Sequence, residues 1–256
     1  MVWDWIKTRW KKPQAAQNSV SDIAPDQRFY AVGDIHGRLD LLQTLLARLD
    51  ADCPTIFVGD YIDRGNYSAQ VLHQLRHLSR VRGNDFICLL GNHEEMLLRF
   101  TDDPKRVGRL WLQNGGLQTL ASFGITGVDE DTVGADAVLV ADRLRRAMGE
   151  DLLSWLHDRP LTWTSGNVTV VHAGLDPGKP LDEQTRQVRL WGHPNFSRQM
   201  REDGQWVVHG HTITSEPRAE NGVVSIDTGA FFSGRLTATD IRAGEVRFIA
   251  TDEQPE

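Results

Sequence analysis

Two carboxylates, a guanidinium and two glycines fall within seven consecutive residues, Gly59-Asp60-Tyr61-Ile62-Asp63-Arg64-Gly65. Two other short stretches carry related groups, Gly33-Asp34-Ile35-His36-Gly37 and Gly91-Asn92-His93-Glu94. Further along stand His172, in Val171-His172-Ala173-Gly174, and the run His209-Gly210-His211-Thr212. These are oxygen and imidazole donors without thiolate, a set that suits Mn²⁺, Fe or Zn²⁺ in a reactive centre better than a structural zinc, which usually recruits cysteine. They are too many for one ion. They fit two ions sharing a carboxylate, as in hydrolytic sites whose metals lie about 3.5–4 Å apart. Taken singly each has a plainer reading: an Asp after Gly is as often a loop-former bonding its own backbone, so neither Asp34 nor Asp60 decides anything alone. His73, His77 and His157 lie on helical stretches without a glycine turn and are read as non-ligands.

The elements that must position these groups follow from hydrophobic pattern. Phe29-Tyr30-Ala31-Val32, Thr55-Ile56-Phe57-Val58 and Phe86-Ile87-Cys88-Leu89-Leu90 are β-branched and aromatic runs that read as buried strands, each leading directly into one of the three loops. In open α/β sheets the C-terminal strand edge is where ligands bind. Leu39, Leu42, Leu45, Leu46 and Leu49 give a helical stripe after the first loop, Val71, Leu72, Leu75 and Leu78 one after the second, and Met96, Leu97 and Phe100 one after the third. Alternating strands and helices predict a largely parallel sheet. From about 102 to 160 strand signals vanish and helical spacing takes over (Ala137, Val140, Ala141, Leu144, Met148), which reads either as a helical cap over the site edge or as helices covering the core. Strands return at 168–171, 206–208, 223–226, 236–239 and 246–249, the last two joined across Ala243-Gly244 as a hairpin. A two-sheet core with helices outside is expected.

At 256 residues the chain is long enough for one large α/β domain, taken as 26–252, preceded by a tail and linker at 1–25. With 28 Lys+Arg against 35 Asp+Glu it lacks the basic footprint of a dedicated nucleic-acid binder. Its two cysteines, Cys53 and Cys88, make no disulfide framework, which favours a reducing, cytoplasmic setting. Residues 1–12 alternate tryptophan and isoleucine with Lys and Arg, without the apolar core of a signal peptide. That pattern fits a weak membrane-surface anchor or a contact with a partner.

In order, GDIHG at 33–37, GDYIDRG at 59–65, GNHE at 91–94, VHAG at 171–174 and HGHT at 209–212 resemble the successive motifs of the calcineurin-like metallophosphoesterases. Among these they are most similar to bacterial members of the phosphoprotein phosphatase branch, and the likeness extends through IDTGA at 226–230. It implies an αββα sandwich of two mixed β-sheets flanked by helices. It also implies two divalent ions, Mn²⁺ above Fe or Zn²⁺, with Asp34 and His36 on the first, Asp60 bridging, and Asn92, His172 and His211 on the second. His209 precedes the matching position and is at most a supporting group. Ile213 stands where the broader superfamily has a second His, leaving the first ion with fewer protein ligands.

The mechanism so implied is in-line attack by a metal-bridging hydroxide without a phosphoenzyme. His93 would protonate the leaving group, Asp63 would orient His93, and Arg64 would grip the phosphate through its planar fork. Bacterial relatives commonly place a second phosphate-binding Arg soon after a Leu-Trp pair; here Leu190-Trp191 is followed by Gly192-His193-Pro194. Arg189, Arg198 and His193 are the nearby substitutes, against a packed turn with no such role. The resemblance implies a serine/threonine protein phosphatase acting on phosphoproteins. The alternative is a hydrolase of diadenosine tetraphosphate or other small phosphorylated metabolites, whose symmetrical members are similar in motif order but usually lack an acid at the position of Asp63. A catalytically silent phosphoprotein-binding module would be expected to lack metal donors, and this chain keeps every one.

Overall fold

The computed structural model describes residues 20–252, so the Trp-rich segment 1–12 lies outside the described residues. Strands β1 (Phe29–Val32), β2 (Thr55–Phe57) and β3 (Phe86–Cys88) run parallel in one five-stranded sheet, with β9 (Thr237–Arg242) and β10 (Glu245–Ala250) added antiparallel beside β1. The second sheet has the order β4-β5-β6-β8-β7. Its parallel centre is β5 (Val168–Val171), β6 (Trp206–His209) and β8 (Val223–Ser225), closed by antiparallel edges β4 (Thr162–Ser165) and β7 (Arg218–Glu220). The two mixed sheets flanked by helices match the expected class. The expected hairpin across Ala243-Gly244 is β9–β10. The two edge strands lack a strand signal in the sequence because Thr162–Ser165 is short with a single apolar residue, Trp163, and Arg218–Glu220 is short, polar and exposed.

Side-chain alternation explains the layers. Phe29 and Ala31 of β1 point into a core shared with Val168 and Val170 of β5, Val208 of β6 and Val224 of β8. Tyr30 and Val32, the alternate residues, point the other way, against Leu42, Leu45, Leu72 and Leu75 of helices α1 (Leu39–Leu46) and α2 (Ser68–Arg82). Helix α1 ends at Leu46, so Leu49 reaches the same core from the following turn.

Residues 102–160 contain helices α4 (Pro104–Trp111), α5 (Leu117–Ser122), α6 (Gly134–Met148) and α7 (Glu150–His157), after α3 (Asn92–Asp102). Their apolar faces, with Trp111, Leu120, Leu144 and Leu156 fully buried, merge into the core of α1–α3. The insertion therefore packs on α2 and α3 and shares their core. Between α4 and α5 the chain kinks at Asn114 and Gly115 (φ 104), and the kink reaches the Arg64 loop. After β5, helix α8 (Arg186–Trp191) and a short α9 (Ala230–Ser233) complete the fold.

The end of the expected linker is tied down. Ile23 is buried, Ala24 N–H donates to Asn167 Oδ1 at 2.7 Å, and the Trp206 indole donates to the Ser21 carbonyl at 2.7 Å. No helix among the described residues is long and apolar enough to cross a membrane.

The junction of β1 with β9 carries a buried charge. Asp240 accepts from Arg28 Nε and Nη2 at 2.9 Å each and from Arg242 Nη2 at 2.8 Å. Burial pushes its carboxyl up, but the two guanidinium donors outweigh burial and hold it below its ordinary value. A carboxyl depressed in the folded state contributes stability above its unfolded pKa and loses it as pH falls through the folded one. Asp240→Asn should therefore cost about 1–2 kcal/mol in urea unfolding at about pH 7, with allowance for the half-exposed Arg28. The difference from the parent should shrink as pH falls below the ordinary carboxylate range and through the depressed pKa of Asp240.

Candidate active site

The loops after β1, β2, β3, β5 and β6 converge at one edge of the two sheets, and the backbone there is unusual. Among the described residues six non-glycines have positive φ, and five belong to these loops: His36 (45°), Asp60 (53°), Asp63 (71°), Arg64 (66°) and His211 (62°). Asp and His tolerate the left-handed region better than most residues, and Arg pays of order 1 kcal/mol there. Such conformations persist only where surroundings over-determine them. Here the Ile35 and His36 N–H groups both donate to the Asp60 carbonyl, at 3.0 and 2.9 Å, and Arg64 N–H donates to the Gly115 carbonyl at 3.3 Å. The glycines between these residues permit close approach. A Cβ on Gly59 would stand 2.5 Å from the Gly91 nitrogen, and one on Gly210 would strike the Asp34 carboxylate.

Asp60 sits at the centre, 2 % exposed. One cluster comprises Asp60, His36 and His93; a second comprises Asp60, His172 and His211. The ring tautomers can be read from their partners. His36 Nδ1 is 2.7 Å from the Ile62 carbonyl and His172 Nδ1 is 3.2 Å from the Val58 carbonyl. A carbonyl only accepts, so each Nδ1 carries the proton and each Nε2 turns a bare lone pair inward. His172 Nε2 then faces Asn92 Oδ1 at 2.8 Å and Asp60 Oδ1 at 3.4 Å, with His211 Nδ1 3.1 Å from the same Asn92 oxygen. Burial pushes the His36 imidazole down to about 3 and the His172 imidazole down to about 4, so neither carries a second proton at neutral pH. Acceptors from Asp60, Asn92 and His172 thus converge on one point.

The carboxylates tell the same story. Burial pushes the Asp34 carboxyl well up, and the neighbouring Asp227 and Asp60 charges push it further. Burial likewise drives Asp227 up to about 6. Asp60 goes the other way, because the surrounding imidazoles of His172, His93, His36 and His211 outweigh burial. A buried excess of negative charge beside unprotonated imidazoles is what bound cations would relieve. The residues present fit divalent cations: His36, Asp60 and His93 group their donor atoms at one place and Asp60, His172 and His211 at another, with Asn92 Oδ1 beside the second; Asp34, expected with His36, is in neither group and instead accepts from the His211 N–H.

His93 and Asp63 form a buried pair, Nδ1 to Oδ2 at 2.6 Å. Burial lowers the His93 imidazole, but the Asp60 and Asp63 charges outweigh it and leave it raised. Burial pushes Asp63 up, opposed by donors from His93, Thr119 and Trp111. Thr119 Oγ1 donates to Oδ1 at 2.6 Å and the Trp111 indole N–H lies 3.0 Å from Oδ2. Both come from the helical insertion, whose apolar spacing marks buried faces and carries no signal for a hydrogen bond to Asp63. The Arg64 guanidinium lies over the Phe231 ring at 4.7 Å, with Nη1 3.1 Å from His36 Nε2 and Nη2 3.3 Å from His93 Nε2. It is the cation of the centre.

Glu94, quoted in its motif but given no role, holds the central loop. Its Oε2 accepts from Asp60 N–H at 2.8 Å and Gly91 N–H at 3.0 Å; its Oε1 accepts from Tyr61 N–H at 2.8 Å and Ile62 N–H at 3.3 Å. Burial and the Asp60 charge push its carboxyl up to about 8. Yet four N–H donors occupy both oxygens, so the ionised form fits this cradle.

Other candidates lie apart. His73, His77 and His157 are exposed on α2 and α7. His209 is buried but bonds Ser225 Oγ at 2.8 Å and faces Phe196, away from Asp60. Arg189 Nη2 donates to the Leu181 carbonyl at 3.1 Å, turned from the centre, and Arg198 is exposed. The Trp191 indole donates to Glu95 Oε2 at 3.3 Å, while the turn after it is half-buried at Gly192 and His193 and exposed at Pro194 and Asn195. His193 and Arg218 line a cavity that His211 closes at the near end.

The profile of the calcineurin-like phosphoesterase family matches residues 27–215. The bis(5'-nucleosyl)-tetraphosphatase PrpE [asymmetrical] of Bacillus mycoides is 30% identical over 238 residues, covering 82% of this chain and 89% of that protein. Among solved structures, one provisionally assigned as a diadenosine tetraphosphatase aligns with TM-score 0.61 at 20% identity, over 90% of this chain and 98% of the other. A cold-active protein-tyrosine phosphatase of a psychrophilic Shewanella aligns with TM-score 0.54 at 19% identity, over 90% and 83%. At these identities the two structures bear on the fold alone.

Removing the Glu94 cradle should be severe. Glu94→Ala leaves four buried N–H groups unpaired and is expected to cost at least about 3 kcal/mol in urea unfolding. A loss below about 1 kcal/mol would mean that water or a shifted backbone replaces the carboxylate.

Proposed function

The chain belongs to the calcineurin-like phosphoesterase family, and from that premise we propose that it hydrolyses dinucleoside polyphosphates at a two-metal centre. Phosphoester hydrolysis with divalent metal is the family's chemistry. The observation that carries the reading is the pair of donor clusters sharing Asp60, with the Arg64 guanidinium beside them. The relatives named as asymmetrical bis(5'-nucleosyl)-tetraphosphatases, matched over most of both chains, support the substrate class.

In this reading Asp34, His36 and Asp60 hold one ion, and Asp60, Asn92, His172 and His211 the other. When bound, the ions supply Lewis-acid charge on the phosphate and a hydroxide near neutral pH. Arg64 binds non-bridging phosphate oxygens through its planar fork, kept flat by Phe231. Glu94 fixes the Asp60 loop, and the buried wall excludes bulk water. Asp63 holds the His93 ring through Nδ1, and Nε2, which accepts from Arg64 in this geometry, would give a proton to the leaving oxygen once the ring is protonated and Arg64 has turned to the phosphate.

A second reading, phosphoserine/phosphothreonine protein phosphatase, is favoured by that dyad specifically. An alkoxide leaving group is strongly basic and needs a proton, whereas a departing polyphosphate is weakly basic and needs little. A carboxylate held by three side-chain donors behind His93 is an arrangement suited to ester cleavage.

The two readings separate by kcat/KM with Mn²⁺ and after chelation, for diadenosine tetraphosphate beside a phosphothreonine peptide, with Asp60→Asn as contamination control. Nucleotide turnover should dominate and should vanish on chelation and in Asp60→Asn; a dominant peptide rate would transfer the assignment to the protein phosphatase. His93→Asn should slow an alkyl phosphate by about 10²–10³-fold and the tetraphosphate by less than about tenfold. Full activity of that variant on the alkyl phosphate would remove His93 as proton donor.

A further inference from the structure

The two donor clusters sharing Asp60 each border a cavity of their own. On the His211 side a cavity of about 500 Å³ is lined by Trp191, His193, Phe196, Thr214 and Arg218, with His211 itself as the wall nearest the centre. On the other side a cavity of about 440 Å³ is lined by Gln113, Asn114, Gln118, Glu130 and Phe231, with Arg64 as the wall nearest the centre. Arg64 reaches the cluster of His36 and His93, whereas His211 belongs to the cluster of His172. The two cavities thus border different clusters and share no lining residue. Each has the size of a small-molecule site.

We propose that these cavities are two nucleoside subsites, so that the centre is built for a phosphate chain carrying a nucleoside at both ends. The proposal rests on the reading of the centre as a dinucleoside polyphosphate hydrolase and names how that substrate is recognised. The His211-side cavity has an aromatic lining, the indole of Trp191 and the rings of Phe196 and His193, which suits stacking of a base face. Arg218 adds a cation for phosphates that extend past the centre. The Arg64-side cavity is different in kind. The amides Gln113, Asn114 and Gln118 can meet base-edge donors and acceptors, the Phe231 ring backs the Arg64 guanidinium, and Glu130 can accept from ribose hydroxyls. A carboxylate there repels further phosphate, so a phosphate chain ends near Arg64 and a neutral nucleoside continues. This also gives the kinked 112–116 segment a use that core packing alone does not require: it brings two amides, Gln113 and Asn114, to the same cavity as Gln118 from the first turn of α5.

The test uses the full chain with Mn²⁺ and three chains of equal phosphate number: diadenosine tetraphosphate with two ends, adenosine tetraphosphate with one, and inorganic tetraphosphate with none. Each added nucleoside is expected to raise kcat/KM by about tenfold or more. His193→Ala and Gln118→Ala should each lower kcat/KM for the two-ended substrate by about tenfold through KM, and together by about a hundredfold, because the cavities are separate. Neither should change the rate on inorganic tetraphosphate, which also reports that the variants are folded. Equal kcat/KM for all three compounds in the parent, or equal losses on inorganic tetraphosphate in the variants, would overturn the subsites while leaving phosphoanhydride hydrolysis intact. A phosphothreonine peptide outpacing all three compounds would overturn the hydrolase reading itself, and the subsites with it.

Discussion

The structure depends on keeping one carboxylate, Asp60, ionised inside the protein. Burial pushes its carboxyl up; any proton reaching the cluster is drawn instead to the surrounding imidazoles, which hold it down, and the His93 backbone N–H donates to its Oδ1 at 3.1 Å. At neutral pH burial keeps His36 and His172 uncharged, so they contribute lone pairs and no positive charge. The result is a polarised pocket, negative at its carboxylates and rich in lone pairs, that is electrostatically complete only with cations. Most of the loop architecture is explained by this requirement: five chain segments from two sheets must bring their donors to one point without filling the space between them.

Bringing them there strains the backbone locally. His36, Asp60, Asp63, Arg64 and His211 adopt positive φ, and each is pinned from outside its own loop. The Glu94 carboxylate spans the β2 and β3 loops, the Asp60 carbonyl takes the His36 loop, and the Asp34 carboxylate accepts His211 N–H at 3.0 Å. The two-sheet core makes these cross-links possible, because interleaved valine and isoleucine side chains fix the strand ends relative to one another. Stability far from the site is thus spent on holding a local geometry the chain would not choose.

The helical insertion takes part in the same scheme. Its Trp111 and Thr119 clamp Asp63, its Gly115 carbonyl holds Arg64, and its outer faces share the core of α1–α3. One segment therefore both packs on the helices beside the first sheet and clamps Asp63 of the pair at the centre.

What the sequence determined by itself was local. Strand runs followed at once by glycine-bounded polar loops declare β1, β2, β3, β5 and β6, and the candidate donors Asp34, His36, Asp60, Asn92, His172 and His211 all stand in such loops because ligands at a strand end must be adjacent to it in the chain. The order of those loops was enough to indicate the family and two mixed sheets. Tertiary structure alone decided the rest. Trp111 and Thr119 reach Asp63 from 48 and 56 residues away, and Asp227 comes to stand beside Asp34 from the far end of the chain. Arg189, near the Leu-Trp pair in sequence, points elsewhere, while Arg218 arrives at the His211 cavity from an edge strand with no apolar pattern. Periodicity reports which face of an element is buried. It carries no signal for a hydrogen bond or a cavity wall between residues that only the packing of two sheets brings together.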